Sequence, residues 1–356
     1  METLIVSNKR FTFRDFSPFF KGPVRAVLTK NAERKVVQSY KNLQTALNQK
    51  VEVYGVSTGF GNLSNISINP EDQKKLQLNL VRSHATGLGP SIDLGTIRVI
   101  LFLKLMTYAK GFSGVRLVLV KKIIQFINND ILPVIPKKGS VGASGDLAPL
   151  GHMALSLIGE GRVFYKGKNV LSRTALKKAK IRPISLDPKE GLSLINGTQF
   201  STALAIKASL YGESLLKNAD LAGALSVENS FSSRNVFRKN IHQLKIHPGQ
   251  KIAAKNVFNM LTGSQIVSSH SKCGKIQDPY SFRCIPHVHG ACRDAFSHAT
   301  TMINNEINST SDNPLVLDSK TILSSGHFHA EHVAQALDFL SIAFTEIGAF
   351  FYRGCN

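Results

Sequence analysis

The residues with the most chemical potential in this chain are Gly142-Ala143-Ser144-Gly145-Asp146, which stand directly before an apolar run. One reading is a glycine-rich loop leading into a helix, with the aspartate complementing the positive end of the helix dipole. The other is covalent. In Ala-Ser-Gly the glycine nitrogen can attack the alanine carbonyl carbon, an approach that a side chain on the third residue would block. Loss of water closes an imidazolone ring, and departure of the Ser144 hydroxyl as a second water leaves an exocyclic methylidene. The product is a strong electrophile made from protein alone.

Three further constellations carry chemistry. Tyr54-Gly55-Val56-Ser57-Thr58-Gly59-Phe60-Gly61 contains a G-x-S-x-G pattern. A nucleophile elbow needs a strand, turn and helix in a parallel sheet, which the rest of the chain does not offer. The segment reads instead as a glycine-rich loop or as a mobile lid presenting Tyr54. His287 and His289, and His327, His329 and His332, have spacings that can hold metal, but no acid or cysteine other than Glu331 completes them, so no metal is expected. Asp278-Pro279-Tyr280-Ser281-Phe282-Arg283 reads as a turn before a long helix, and its arginine could clamp a carboxylate.

The elements that must position these groups follow from periodicity. Helical spacing appears over 31–49, 69–85, 95–108, 115–128 and 147–158. Residues 51–56 look like a short strand, 162–170 like a hairpin around Lys166-Gly167-Lys168, and 183–190 like a linker. Beyond 198 the helices lengthen, over 198–227, 288–307 and 329–352. The last places Val333, Leu337, Leu340, Phe344, Ile347 and Phe351 on one stripe and further apolar residues elsewhere, the mark of a helix packed on several sides. Strands are few, with no βαβ alternation. The expected class is mainly α: a mixed N-terminal domain (1–197) carrying the Ala-Ser-Gly loop, then a long-helix bundle (198–356) that looks incomplete at its C-terminal end.

Taken together, Tyr54–Gly61, Asn79 to Ala85, Gly139–Gly151, Asn196-Gly197-Thr198-Gln199, Gln277–Arg283, Asp312-Asn313-Pro314-Leu315 and Phe328-His329 resemble the aromatic amino acid lyases that use a methylidene-imidazolone group, histidine ammonia-lyases most of all. The resemblance implies that Ala143, Ser144 and Gly145 form the electrophile and that no external cofactor is needed. It implies that Tyr54 is the catalytic base, that Asn196 and Phe328 lie beside the ring, that Gln277 and Tyr280 line the substrate site, and that Arg283 pairs with the substrate carboxylate. Ser83-His84 is the pair expected for an imidazole substrate, so the implied reaction is L-histidine to trans-urocanate and ammonia, with His84 binding the ring. The same-family alternative is a phenylalanine or tyrosine lyase or an aminomutase. The resemblance further implies a homotetramer whose sites draw on three chains, while the few cysteines and the lack of a signal-peptide core point to a reducing cytoplasm.

The chain also departs from that pattern. Family members continue for roughly another domain, on the order of 150 residues, and supply there a glutamate that faces the substrate. Ser325-Gly326-His327-Phe328, His332 and the stretch Phe350–Asn356 differ from the usual residues, so a truncated or frameshifted reading is expected. Lys and Arg number 44 against 23 Asp and Glu, a net charge of +21. The basic residues are scattered in pairs such as Lys121-Lys122 rather than arrayed with aromatics, which reads as a solvated surface and not a nucleic-acid site. An inactive basic helical binding protein is the different-class alternative. Four cysteines make no disulfide framework, Met1 to Phe16 lacks a signal-peptide core, and the apolar stretches are too short or carry acids, so no membrane span is expected.

Overall fold

The computed structural model describes residues 1–7, 9–271 and 274–354, the last four by backbone alone. Cys273, Cys355 and the side chain of Phe351 lie outside these descriptions. The chain is mainly helical and divides into two units: residues 1–206 with 304–334, and residues 207–303 with 335–356.

In the first unit, β1 (Glu2–Val6) pairs in parallel with β2 (Val24–Leu28). A short helix, Ser17–Lys21, lies between them, making a small parallel crossover that the periodicity does not reveal. The Asn128 amide accepts from the Ala26 nitrogen at 2.7 Å and donates to the Ala26 carbonyl at 3.1 Å, satisfying the β2 edge. Four helices follow: α1 (Lys30–Asn48), α2 (Gln73–His84), α3 (Leu94–Ala109) and α4 (Leu117–Asn128). Every residue of α3 from Gly95 to Ala109 is buried, which explains its nearly uniform apolarity. Phe102 of α3 sits among Phe11, Phe16 and Phe19, with ring centroids 5.1–5.9 Å away.

The Ala-Ser-Gly loop leads into α5 (Leu147–Leu157). β3 (Arg162–Tyr165) and β4 (Lys168–Leu171) form the expected antiparallel hairpin. Its two-residue turn, Lys166-Gly167, has φ of 50° and 74°, the left-handed geometry that matches strand twist. Then come α6 (Glu190–Ile195), α7 (Gln199–Asn229), α8 (Pro248–Met260), α9 (Tyr280–Ile307) and α10 (Glu331–Gly354). The boundary between the units falls within α7, α9 and α10.

Two local expectations are corrected. Residues 51–56 form no strand: the Val56 and Ser57 nitrogens both donate to the Val53 carbonyl at 3.0 Å, so the run closes into a tight turn. Tyr280–Arg283 is not a turn before α9 but its first turn. The helix continues through Pro286 to Ile307.

In the second unit, Ala224, Val227, Phe237, Val257, Leu261 and Ile285 form a core. Glycines set its closest approach: a Cβ on Gly249 would lie 2.2 Å from the Gly290 carbonyl oxygen, and one on Gly290 would lie 2.4 Å from the Gln250 Cα. On α10, Leu340 and Ile347 are buried and Phe344 is half-buried, seated over Gly212, where a Cβ would come within 2.2 Å of its ring. From Val333 to Ile347 the stripe seen in the sequence is therefore the packed face, while Phe339 and Ile342 are exposed. By length and composition alone, Glu331–Phe350 also meets the criterion for a membrane-crossing helix.

This facing has a measurable consequence. Leu340→Ala should lower unfolding stability by ~2–5 kcal/mol through the cavity it leaves. Ile342→Asp should stay within about 0.5 kcal/mol of the parent. Urea denaturation of both variants checks this, and a greater loss for Ile342→Asp would reverse the assignment of faces.

Candidate active site

The Ala-Ser-Gly loop is held by its own backbone. Gly142–Ser144 makes one turn of 3-10 helix, the Gly145 nitrogen donates to the Gly142 carbonyl at 3.1 Å, and the Val141 nitrogen donates to the Gly145 carbonyl at 3.0 Å. Gly145 has φ +115°. A Cβ there would meet nothing closer than the Phe328 carbonyl oxygen at 3.6 Å, so backbone conformation rather than space requires glycine. The Ala143 carbonyl accepts from the Ala330 nitrogen at 2.7 Å.

Asp146 pins the loop from behind. Its carboxylate accepts from the hydroxyls of Ser140 and Ser201, each at 2.7 Å, and from the Ser201 nitrogen at 2.9 Å. Burial pushes its carboxyl pKa up, opposed by these hydrogen bonds. Asp146 thus ties the loop to the start of α7 instead of only complementing a helix dipole.

Tyr54 sits on a closed loop. Gly59 and Ile66, and Ser57 and Ile68, are joined by backbone hydrogen bonds of 3.0 and 2.8 Å. The Tyr54 hydroxyl accepts from the Gly61 nitrogen at 3.1 Å. Gln77 of α2 fastens this loop to α6, donating to the Gly55 carbonyl at 2.8 Å and accepting from the Leu192 nitrogen at 2.9 Å. Gly191 permits the approach, since a Cβ there would lie 2.5 Å from the Gln77 carbonyl oxygen.

His84 is the last residue of α2, with Nδ1 2.9 Å from the Leu80 carbonyl. A carbonyl only accepts, so Nδ1 carries the proton and neutral His84 keeps Nε2 as an acceptor. Asn196 follows α6. Its side chain donates to the Asn313 carbonyl at 3.0 Å, and its own carbonyl accepts from Lys104 at 2.8 Å.

Lys104 is fully buried and also donates to the Ser193 carbonyl at 2.9 Å. Burial lowers its pKa to about 7; Asp312 opposes the fall and Lys189 adds to it. Lys189 and Asp312 form a wholly buried pair at 3.3 Å, and the Ser193 hydroxyl donates to Asp312 at 2.6 Å. No motif marks Lys104, although a lone lysine within the apolar run 99–106 is a visible signal in the sequence.

Tyr54, His84, Ser144, Gly145, Asn196 and Phe328 line one cavity of about 420 Å3, with Leu80, Leu192 and Asn313 also in its wall. The side chain of Phe328 lies 3.9 Å from where a Gly145 Cβ would be. Ala143 adjoins this cavity through the chain. The other three named residues belong to the second unit. Gln277 and Arg283 line a cavity of about 570 Å3 with Arg234 and Asp278, and Arg283 Nε donates to the Asp278 carbonyl at 2.9 Å. Tyr280 is exposed and lines a further cavity with Cys284 and Glu346. The histidines divide similarly: His289 Nδ1 is 2.9 Å from buried Asp220, and His327 Nδ1 is 2.8 Å from the Ser325 hydroxyl. Among the described residues no group of three or more His, Cys, Asp or Glu is placed to hold a metal.

Two relatives resemble this chain over most of its length. Histidine ammonia-lyase of Streptococcus pyogenes serotype M18 is 43% identical over 323 residues, 91% of this chain and 62% of the relative. Histidine ammonia-lyase of Vibrio cholerae serotype O1 is 42% identical over 348 residues, 97% of this chain and 68% of the relative. This chain thus spans 62% of the length of the streptococcal enzyme. Among solved structures, tyrosine aminomutase from Streptomyces globisporus superposes with a TM-score of 0.92 at 32% identity, covering 99% of this chain and 70% of that one. Histidine ammonia-lyase from Trypanosoma cruzi gives 0.89 at 31%, covering 99% and 67%. The aromatic amino acid lyase profile matches residues 11–356. On that match, and with this loop and cavity in place, the chain belongs to the aromatic amino acid lyase family.

Proposed function

We propose that the chain carries the chemistry of a histidine ammonia-lyase, eliminating ammonia from L-histidine to give trans-urocanate in the cytoplasm. The observation that carries this reading is the convergence of Tyr54, His84, Asn196 and Phe328 with Ser144 and Gly145 on one cavity. The residues fit a methylidene-imidazolone group. The tripeptide is already bent into a single turn, its glycine holds a positive φ, and its serine hydroxyl is exposed and available to leave as water. Once formed, that group supplies an electrophile that turns the substrate amine into a leaving group.

The chain's own residues supply the rest. The Tyr54 oxygen takes the β-proton while the Cα–N bond breaks and the Cα–Cβ double bond forms. His84 Nε2 accepts the N–H of the substrate imidazole and fixes that end of the molecule. Leu80, Leu192 and Phe328 exclude water. Lys104 holds the Asn196 and Ser193 carbonyls in place under the site. Arg283 pairs with the substrate carboxylate, with Gln277 and Tyr280 beside it. A homotetramer, with sites assembled from several chains, would let the second unit of one subunit serve the cavity of another.

A second reading, a tyrosine or phenylalanine lyase or aminomutase, is favoured by the superposition on tyrosine aminomutase. His84 separates the two. His84→Leu should lower kcat/KM for histidine by roughly 10–150-fold, the loss of a buried hydrogen bond worth about 1.5–3 kcal/mol, and should leave phenylalanine turnover unchanged or higher. Urocanate and cinnamate absorbance assays on the purified chain check this. Cinnamate formation exceeding urocanate formation in the parent would establish the second reading. A chain with neither product and an unmodified tripeptide would be a non-catalytic basic protein.

A further inference from the structure

Away from the Tyr54 cavity, the first unit contains another of about 450 Å3. Lys9, Arg10, Lys35 and Lys110 are among its lining residues, and no acid is. They come from the segment after β1, from α1 and from the end of α3, so the fold itself draws them together. A concave wall of one sign focuses the field and attracts the opposite charge.

Lys110 distinguishes this cavity from the scattered surface lysines. It is half-buried, with Nζ against the Asn308 carbonyl. Burial lowers its pKa to about 8, Glu306 opposes that, and Arg10 adds to it. Lys9 lies 3.8 Å from Asp15, a long surface pair. The lining also includes apolar side chains: Met106 is buried, while Phe112 and Leu317 are exposed at 38% and 47%. Such a volume falls in the range of small-molecule sites, ~300–1,000 Å3. Several cations and apolar side chains in one cavity suit a ligand with more than one negative charge at one end and a flat, less polar body at the other.

We propose that this cavity binds a small organic phosphate of the nucleoside diphosphate class, its phosphates on Arg10, Lys35 and Lys110 and its base against Met106, Phe112 and Leu317. Isothermal titration of the full chain with ADP, adenosine and pyrophosphate tests this. ADP should bind saturably, and more tightly than either fragment. Arg10→Glu, an exposed change, should weaken ADP binding by roughly 10–100-fold, as should Lys110→Gln, since charge-assisted hydrogen bonds are worth ~1.5–3 kcal/mol. Lys177→Glu, on the separate basic patch of Arg173, Lys177 and Lys178, should leave it unchanged. Pyrophosphate binding as tightly as ADP overturns the role of the apolar side chains, and adenosine binding as tightly overturns that of the cations. Absence of saturable binding, equal weakening by Lys177→Glu, or capture of an oligonucleotide that ADP does not displace overturns the proposal.

Discussion

Ser144→Ala is expected to remove the electrophile and, with it, all lyase turnover. If the tripeptide cyclises, the parent chain is lighter than its sequence mass by two waters, one from ring closure and one from the Ser144 hydroxyl. The variant has no hydroxyl to lose and can shed at most one. Local structure should survive, because the turn at Gly142–Gly145 is held by backbone hydrogen bonds that alanine keeps. The chain has no tryptophan and only 7 tyrosines, so a near-ultraviolet band from the new group stands against a weak background. Intact mass and absorbance, read on the same folded samples, should change together with urocanate formation. A well-folded parent with its unmodified mass would sink the covalent reading.

Tyr54→Phe is expected to lower kcat/KM by ~10²–10⁴, the usual contribution of a positioned general base. The hydroxyl accepts one hydrogen bond, from the Gly61 nitrogen, in an exposed stretch where water can replace it. Loop stability should therefore change little. The mass loss of two waters should persist, because ring closure does not use the phenol. That pairing separates base catalysis from architecture: if Tyr54→Phe also abolishes the modification, Tyr54 serves to shape the loop and the base lies elsewhere.

Helix positions were legible wherever periodicity reports burial directly. The α3 run, the α10 stripe and the Lys166-Gly167 hairpin each depend on neighbours within a few residues. The parallel pairing of β1 with β2 was not legible, because partner choice between short strands is settled by tertiary packing. The 51–56 run has strand-like composition but no partner strand, so a local turn prevails. The 278–283 segment reads as a turn, yet α9 starts at Tyr280 and runs through Pro286, tolerating the missing hydrogen bond. At the candidate site, residue types announced Ala143-Ser144-Gly145 and Tyr54. Which groups share a cavity was another matter. The Lys104 contacts to Ser193 and Asn196 span 89 and 92 residues, and no spacing rule reaches that far. The expected division at 197/198 already separates Gln277, Tyr280 and Arg283 from Tyr54, but no spacing in the sequence tells that 304–334 returns to the first unit.

The return of residues 304–334 to the first unit carries a consequence for biosynthesis. The Ala-Ser-Gly loop leaves the ribosome early, but the Ala330 nitrogen that caps the Ala143 carbonyl, and Phe328 beside Gly145, follow nearly 200 residues later. Lys189 likewise waits 123 residues for Asp312. At ~5–20 residues per second, the interval is roughly ten to forty seconds. Throughout it the nascent tripeptide lacks both the Ala330 and the Phe328 contact. If the tripeptide cyclises only with these contacts in place, ring closure is deferred until the last strip of the first unit has been synthesised, and no reactive alkene meets cellular thiols on an unfinished chain.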